Sequence, residues 1–344
     1  MNAPLETQRF GAGHSVRRIE DPALVQGLGR FTDDVAPEGQ VFLRFVRSSA
    51  AHARLVSVDV EAARAMPGVL AVFTGADLLA AGVKPIPVAP AFKRPDGQTM
   101  ATAPKRALAV DAVRFVGEAI AMVVAETREA ARAAVDAVMV DYDNLPAVVD
   151  AVSALKPGAP VLCPAAPDNV SAEMRHGDAA AVAAAFAGAA HRVQLDIVNQ
   201  RLAASPMEPR SVLASWADER LTVRLSSQMP TGVRAGLVDA IPGLSPQNVR
   251  VVVGDVGGGF GMKTGIYPED IAVAFAAVQL KRPVKWQAER VEDFLTAAAG
   301  RDVVSHAEMA LDADGKALAI RVRSLANVGA YPTTTSAAIQ LLIG

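Results

Sequence analysis

Apolar and polar residues alternate along VFLRFVRSS (41–49) and ARLVSVDV (53–60), the period-two pattern of strands with one buried face. The pattern changes at EAARAM (61–66), which predicts a short helix stopped by Pro67 and Gly68. VLAVFTGADL follows as strand and turn. VRFVGEAIAMVVAET (113–127) predicts a long buried strand interrupted by Gly117. TREAARAAVDAV (127–138) sets Ala130, Ala131, Ala134, Val135 and Val138 on one helical face, with Thr127 able to cap it. VMVDYDNLPAVVD closes the unit. Residues 25–150 therefore read as an α/β block, preceded by an extended arm at 1–24.

Residues 151–190 read as a Pro- and Ala-rich linker followed by an Ala-rich helix that Asp178 is placed to cap. A second block fills 191–344. HRVQLDIVNQRL is a strand, and SVLASW and RLTVRLSSQ are two more around the turn ADER. GLVDAIPGL (236–244) predicts a short helix, VRVVVGDV a strand, YPEDIAVAFAAVQL a helix and VKWQAER a strand. The remainder supplies further strands, with a hairpin turned at Asp314-Gly315. No unit recurs with the period of a solenoid or propeller.

Composition narrows the function classes. The chain has 344 residues, enough for two or three domains, and 51% are hydrophobic, so a sizeable core can form. Lys and Arg number 34 against 36 Asp and Glu, a balance that predicts neither nucleic acid nor an anionic membrane as partner. Cys163 is the single cysteine and sits in the linker, where it can form neither an internal disulfide nor a cysteine-rich metal site. None of the five histidines pairs at helical spacing, so no zinc helix is predicted. The N-terminal stretch lacks the apolar core of a secretion signal, and no run approaches a spanning helix. These features predict a cytoplasmic protein. The chain closes on the apolar run SAAIQLLIG, which suggests that a packed element continues elsewhere.

One stretch asks for chemistry. In GDVGGGFGMK (254–263), three consecutive glycines, a phenylalanine and a fourth glycine separate a strand from a helix. Backbone N–H groups at such a junction suit an anion or an oxo group, and glycines allow close approach. The spacing also suits a tight turn for close helix–strand packing. It does not suit the common nucleotide motifs: Met262 stands where the dinucleotide fingerprint and the phosphate loop need other residues. A nucleotide-dependent dehydrogenase is disfavoured on that ground.

The same stretch resembles the glycine loop of the molybdenum-binding subunit of the xanthine dehydrogenase, aldehyde oxidase and carbon monoxide dehydrogenase family. RRIEDPALVQGLGRFTDDV is similar to that family's leading segment, and RSSAAHARLVSVDVEAARAMPGVLAVFTGADL to its hammerhead domain. PMEPRSVLASW, SSQMP and KRPVKWQAERVEDFLTAAAGRD resemble successive pieces of its first molybdenum-cofactor domain. The resemblance implies an α+β fold: a hammerhead-like α/β domain at 25–150, then a first molybdenum-cofactor-binding α+β domain at 191–344, incomplete at its C-terminus. It implies an oxidoreductase that hydroxylates an aldehyde or N-heteroaromatic carbon with oxygen from water. The implied cofactor is molybdenum–molybdopterin, in the cytosine dinucleotide form usual in bacteria.

Site residues follow from the same resemblance. Gln228 in SSQMP matches the glutamine that donates to the apical oxo ligand, and Phe260 the phenylalanine whose backbone N–H faces the metal. Gly258, Gly259 and Gly261 let that backbone approach, with the Phe260 ring expected to anchor the loop in apolar packing. No side chain is expected to ligate the metal. The family's general-base glutamate lies downstream, so this chain alone is expected to be inactive. Thr264 stands where purine-oxidising members carry a substrate-holding glutamate. Lys263 reads either as a partner for a cofactor phosphate or as a solvated lysine, and Glu208 with Arg210 as a scaffold ion pair. Glu269 and Asp270 read as residues favouring the start of a helix. The implied partners are the rest of the large subunit, a small subunit with 2Fe–2S clusters and a medium subunit with FAD. The alternative is a non-catalytic half-subunit that serves as a cofactor- or subunit-binding scaffold.

Overall fold

The computed structural model describes residues 17–88 and 92–332. The start of the expected arm and the apolar run at 336–344 lie outside the described residues. The first part of the chain forms α1 (Asp21–Val25), β1 (Val41–Arg47), β2 (Ala53–Asp59), α2 (Glu61–Arg64), β3 (Val69–Thr74) and α3 (Gly75–Ala80). Then come β4 (Ala112–Val113), β5 (Ala119–Ala125), α4 (Arg128–Val135), β6 (Met139–Asn144), α5 (Ala151–Ala154) and α6 (Ala179–Gly188). The second part forms β7 (His191–Asn199), β8 (Leu202–Ala203), β9 (Ser211–Ala217), β10 (Arg220–Leu225), α7 (Pro230–Ala240) and β11 (Val249–Val252). It closes with α8 (Pro268–Leu280), β12 (Val284–Gln287), α9 (Arg290–Thr296), β13 (Ala299–Gly300), β14 (Val303–Leu311) and β15 (Ala317–Ala326).

A seven-stranded sheet in the order β11-β10-β9-β12-β1-β5-β3 carries most of the core. Its neighbours are antiparallel except for two parallel pairs, β10 with β11 and β1 with β12. Strands from before and after the linker thus share one sheet. On one face, Val233 and Leu237 of α7 and Ile271 and Phe275 of α8 join Val212, Leu221, Val223 and Trp286 in one buried cluster. On the other, Ala63 of α2 and Ala134 of α4 cover Val72 and Val123. Every residue of β5 is buried. Helices lie over both of its faces, which is why its sequence is continuously apolar rather than alternating.

Several expected elements change shape. The long strand at 113–127 divides, because Gly117 adopts φ +98° and a Cβ there would lie 2.9 Å from the Leu295 Cβ. β4 joins a separate sheet, β4-β2-β6, and β5 joins the large one. The helix expected at Gly236 begins at Pro230, a residue preset for the first helical turn. α9 was not anticipated; a capping box between Glu289 and Glu292 starts it. Thr127 and Asp178 cap α4 and α6 through the N–H groups of Ala130 and of Ala180 and Ala181, as their positions predict.

In the third sheet, β15-β14-β7, α6 packs against the polar side of β15. Rows such as Gln194–Glu308–Arg321 face α6, where the Arg321 guanidinium lies 4.5 Å from the Phe186 ring centroid. The opposite face presents the rows Val193–Met309–Ile320 and Leu195–Ala307–Val322. Leu195 is 60% exposed, Ile320 57% and Val322 51%. Among the described residues no helix is long and apolar enough to cross a membrane.

Candidate functional site

The parallel pairing of β10 and β11, in register from Leu221–Val249 to Arg224–Val252, brings both C-terminal ends to one edge of the sheet. From β10 the chain runs through Ser226, Ser227 and Gln228 into α7. From β11 it runs through the glycine turn and a 3-10 turn at Met262–Thr264 before α8 begins at Pro268. Two separate sequence motifs therefore meet outside the carboxyl ends of parallel strands, the usual place for a ligand in such sheets. The glycines do not lead directly into α8, so that helix's dipole is not what the turn offers.

Gln228 touches the turn directly. Its Oε1 accepts the N–H groups of Gly261 at 3.1 Å and Lys263 at 3.2 Å, and its own N–H donates to Lys263 O at 2.8 Å. A Cβ on Gly259 would stand 2.5 Å from the Gln228 Cδ and Oε1. One on Gly257 would stand 2.4 Å from the Glu208 Cβ, and one on Gly258, at φ +107°, would stand 2.9 Å from the Pro206 Cβ. These three glycines are small because protein lies beneath them. Gly261 has φ +82° and open space around it.

The backbone of the turn is rich in donors. Gly257 N–H is taken by Glu208 Oε2 at 2.9 Å and Met262 N–H by Gly259 O at 3.0 Å. Among the described residues the N–H groups of Gly258, Gly259 and Phe260 have no acceptor. The Gln228 Nε2 is likewise uncommitted, and the side chain is exposed. Consecutive N–H groups beside left-handed residues make a concavity suited to an anion or an oxo group. This donor set fits a cofactor that carries its own metal ligands and offers oxygens to the protein.

The expected anchoring role of Phe260 is corrected. Its φ of +51° turns the ring outward, and the residue is 77% exposed. Lys263 is also corrected: it neither waits for a phosphate nor lies in solvent. It is 2% exposed, and its Nζ donates to Glu208 O at 2.8 Å, Ser226 Oγ at 2.9 Å and Glu208 Oε2 at 3.2 Å. Burial pushes the Lys263 pKa down, against the opposing charge of Glu208. Thr264 donates to Gly261 O at 2.8 Å and serves the turn itself.

Glu208 and Arg210 do not pair with each other. The chain bends at Glu208, just before Pro209, and the two side chains take different partners, Glu208 pairing with Lys263 and Arg210 with a second network. There Arg210 meets Glu269 at 3.0 Å, Asp293 at 2.8 Å and Thr296, while Arg47 of β1 meets Glu269 at 2.9 Å and Glu292 at 2.6 Å. Burial alone would raise Glu269, but Arg210 and Arg47 outweigh it and hold its pKa at about 2. Asp270 accepts Tyr267 N–H at 2.8 Å and so does cap α8. Burial pushes its pKa up to about 7; that hydrogen bond opposes the rise and the Glu269 charge adds to it.

The class of protein follows from comparison with known proteins: it is a molybdopterin cofactor-binding protein. Residues 162–343 match the molybdopterin cofactor-binding domain family, and residues 26–146 match the a/b hammerhead domain of aldehyde oxidase and xanthine dehydrogenase. The chain belongs to this molybdopterin-binding aldehyde oxidase and xanthine dehydrogenase family. It is 37% identical to the carbon monoxide dehydrogenase large chain of Hydrogenophaga pseudoflava over 351 residues, covering 96% of this chain and 42% of that one. It is 37% identical to the nicotine 6-hydroxylase large subunit of Paenarthrobacter nicotinovorans, covering 93% of this chain and 38% of that one. The solved Cu,Mo-CO dehydrogenase in its carbon monoxide reduced state superposes with a TM-score of 0.81 at 34% identity, over 91% of this chain and 40% of that chain. The chain thus spans about two fifths of the length of these relatives. The relatives are oxidoreductases, and the expected α+β fold with its hammerhead region is the one observed.

Proposed function

We propose that this chain is part of a molybdenum hydroxylase large subunit and forms one wall of its molybdenum–molybdopterin site. One observation carries the reading. Among the described residues the N–H groups of Gly258, Gly259 and Phe260 stand without acceptors beside Gln228, whose carboxamide oxygen is already engaged. When bound, the cofactor supplies two-electron redox chemistry at molybdenum, with water as the oxygen source for an aldehyde or N-heteroaromatic carbon.

The chain's own part is binding and polarity. The free N–H groups of the turn hold oxygens of the cofactor without a side chain intervening. Gln228 Nε2 donates a neutral hydrogen bond, which favours growing negative charge and adds no competing ligand. Beside the turn, Glu208 Oε2 is engaged by Lys263, Ser226 and Gly257 and Asp255 by Arg30 N–H at 2.6 Å, while Glu208 Oε1 is buried without a hydrogen-bond partner. In this reading the proton-accepting carboxylate belongs to the rest of the large subunit, and the chain alone carries no turnover. The cofactor is the cytosine dinucleotide form. Partners are the rest of the large subunit, a 2Fe–2S small subunit and an FAD medium subunit, in the cytoplasm. The uncovered apolar face of β7, β14 and β15 supports a covering polypeptide.

The test is metal and pterin analysis of the chain produced with the remaining large-subunit polypeptide and the 2Fe–2S small subunit in a host that makes the cofactor. Stoichiometric molybdenum, released cytosine nucleotide and bleaching of cluster absorbance by aldehydes are expected. A stable complex that contains neither molybdenum nor pterin sinks the reading in favour of a non-catalytic scaffold.

A further inference from the structure

Beneath the glycine turn lies a buried ion pair that the cofactor reading does not use. Lys263 reaches under the turn to Glu208 and Ser226, and Glu208 Oε2 also takes the N–H of Gly257 and the hydroxyl of Ser226 at 2.6 Å. The two residues therefore tie together positions 257 and 263, the two ends of the turn. Lys263 also meets Gln228 through its main chain, as an N–H donor to Oε1 and an acceptor of the Gln228 N–H.

We propose that Lys263 is a positioning residue that fixes which end of the Gln228 carboxamide faces the ligand; this rests on the reading of the turn as a cofactor cradle and deepens it. The reasoning is a matter of donors and acceptors. With Gly261 N–H and Lys263 N–H both on Oε1, the amide nitrogen is turned outward. A flipped carboxamide would set NH2 against two N–H donors, leaving both donors unmet. The lock holds only while the main chain at 261–263 stays in place. The Lys263 side chain pins that segment from below, through acceptors on two other elements. A methionine would fill the same slot without burying a charge. It could not hold Glu208, and through Glu208 the far end of the turn at Gly257.

The experiment compares the full chain with Lys263→Met and Ser226→Ala. Backbone hydrogen exchange and the Gln228 side-chain NH2 signals of 15N-glutamine-labelled protein are read without any activity assay. Lys263→Met should speed exchange of the hydrogen-bonded amides of Gly257, Gly261, Met262 and Lys263 by about tenfold or more and leave α8 unchanged. Its Gln228 NH2 signals should shift and average, and Ser226→Ala should show a smaller change of the same kind. A folded Lys263→Met with native exchange in the turn and native Gln228 signals overturns the proposal. If Lys263→Met does not fold, a Ser226→Ala protein with native exchange and signals overturns it instead. Pterin content of the cofactor-loaded complex separates the two readings. Pterin missing even from wild type refutes the cofactor cradle and leaves the lock standing. Pterin retained by a Lys263→Met protein with an unchanged turn refutes the lock and leaves the cradle.

Discussion

Replacing Gly259 with alanine tests the contact on which the site is built. The added Cβ would fall 2.5 Å from Gln228 Cδ and Oε1 and 2.9 Å from its Cγ, distances at which something must move. The glutamine is exposed and the turn is stapled below, so Gln228 swings out and loses the N–H donors of Gly261 and Lys263. Two hydrogen bonds, one exposed and one part-buried, bound the stability cost at about 1–3 kcal/mol, with the low end expected where water replaces them. Cofactor retention should suffer more, since the carboxamide no longer points at the ligand. Gly265→Ala is the control: it has nothing within 4 Å and an extended φ of −121°. The assays are thermal unfolding and pterin content of the loaded complex. A double-mutant cycle adds rigour, because Gln228→Ala removes the atoms that clash and Gly259→Ala should cost almost nothing in that background. Equal effects of Gly259→Ala and Gly265→Ala, or a Gly259→Ala cost that persists without Gln228, would refute the reasoning.

Asp270→Asn tests the buried cap of α8. The folded pKa of Asp270, about 7, lies above its ordinary value, so between about pH 4 and 7 the native state holds a proton that the unfolded chain releases. Its favourable contribution is present below about pH 4 and lost as pH rises toward 7; the asparagine should raise Tm most at pH 8, less at pH 5 and hardly at all below about pH 4. Glu269 behaves oppositely: its contribution is full above about pH 4.5 and is lost progressively as pH falls to about 2. Arg210→Met leaves Asp293 buried without its guanidinium and should cost about 3–5 kcal/mol in denaturant unfolding; a loss under about 1 kcal/mol would show that the network does not hold α8 and α9 to β9. Leu195→Lys with Val322→Lys should reduce dye binding and self-association of the chain, with stability changed by no more than about 0.5 kcal/mol per site. Phe260→Ala should likewise shift stability by under about 0.5 kcal/mol, since the ring is already in solvent.

What the sequence made legible was local. Thr127 and Asp178 sit where a side-chain oxygen meets the N–H groups two or three residues on, and both cap as their positions predict. The strand readings over 220–225 and 249–252 were also sound, because alternation and β-branching report a buried face. That these strands lie side by side and parallel, which alone brings Gln228 to the glycine turn, is a non-local fact. Only resemblance carried it. The failures share one cause. Phe260 reads as core because it is aromatic, but its left-handed backbone turns it out. Lys263 reads as surface because it is charged, but partners from two other segments let it sit buried. Gly117 reads as a weak spot in one strand, but it is the point where the chain changes sheets.

The shared sheet links the two family regions more tightly than their separate matches suggest. β1, from the hammerhead region, lies between β12 and β5 and pairs with β12 through Val41–Val284 and Phe42–Lys285. Two backbone register pairs form a short seam. Its hold comes from side chains: Arg47 of β1 reaches Glu269 on α8 and Glu292 on α9, and Lys285 of β12 donates to Asp33 O at 2.9 Å. The same Glu269 holds Arg210, which follows Glu208 by two residues, and Glu208 holds the glycine turn through Gly257 N–H. The link from β1 to the turn runs through the charges of Arg47, Glu269 and Arg210 and then along the backbone from Arg210 to Glu208. A change at Arg47, in the hammerhead region, should consequently be felt at the glycine turn as faster amide exchange at Gly257. An Arg47→Met protein with native exchange there would show that the two regions meet without communicating.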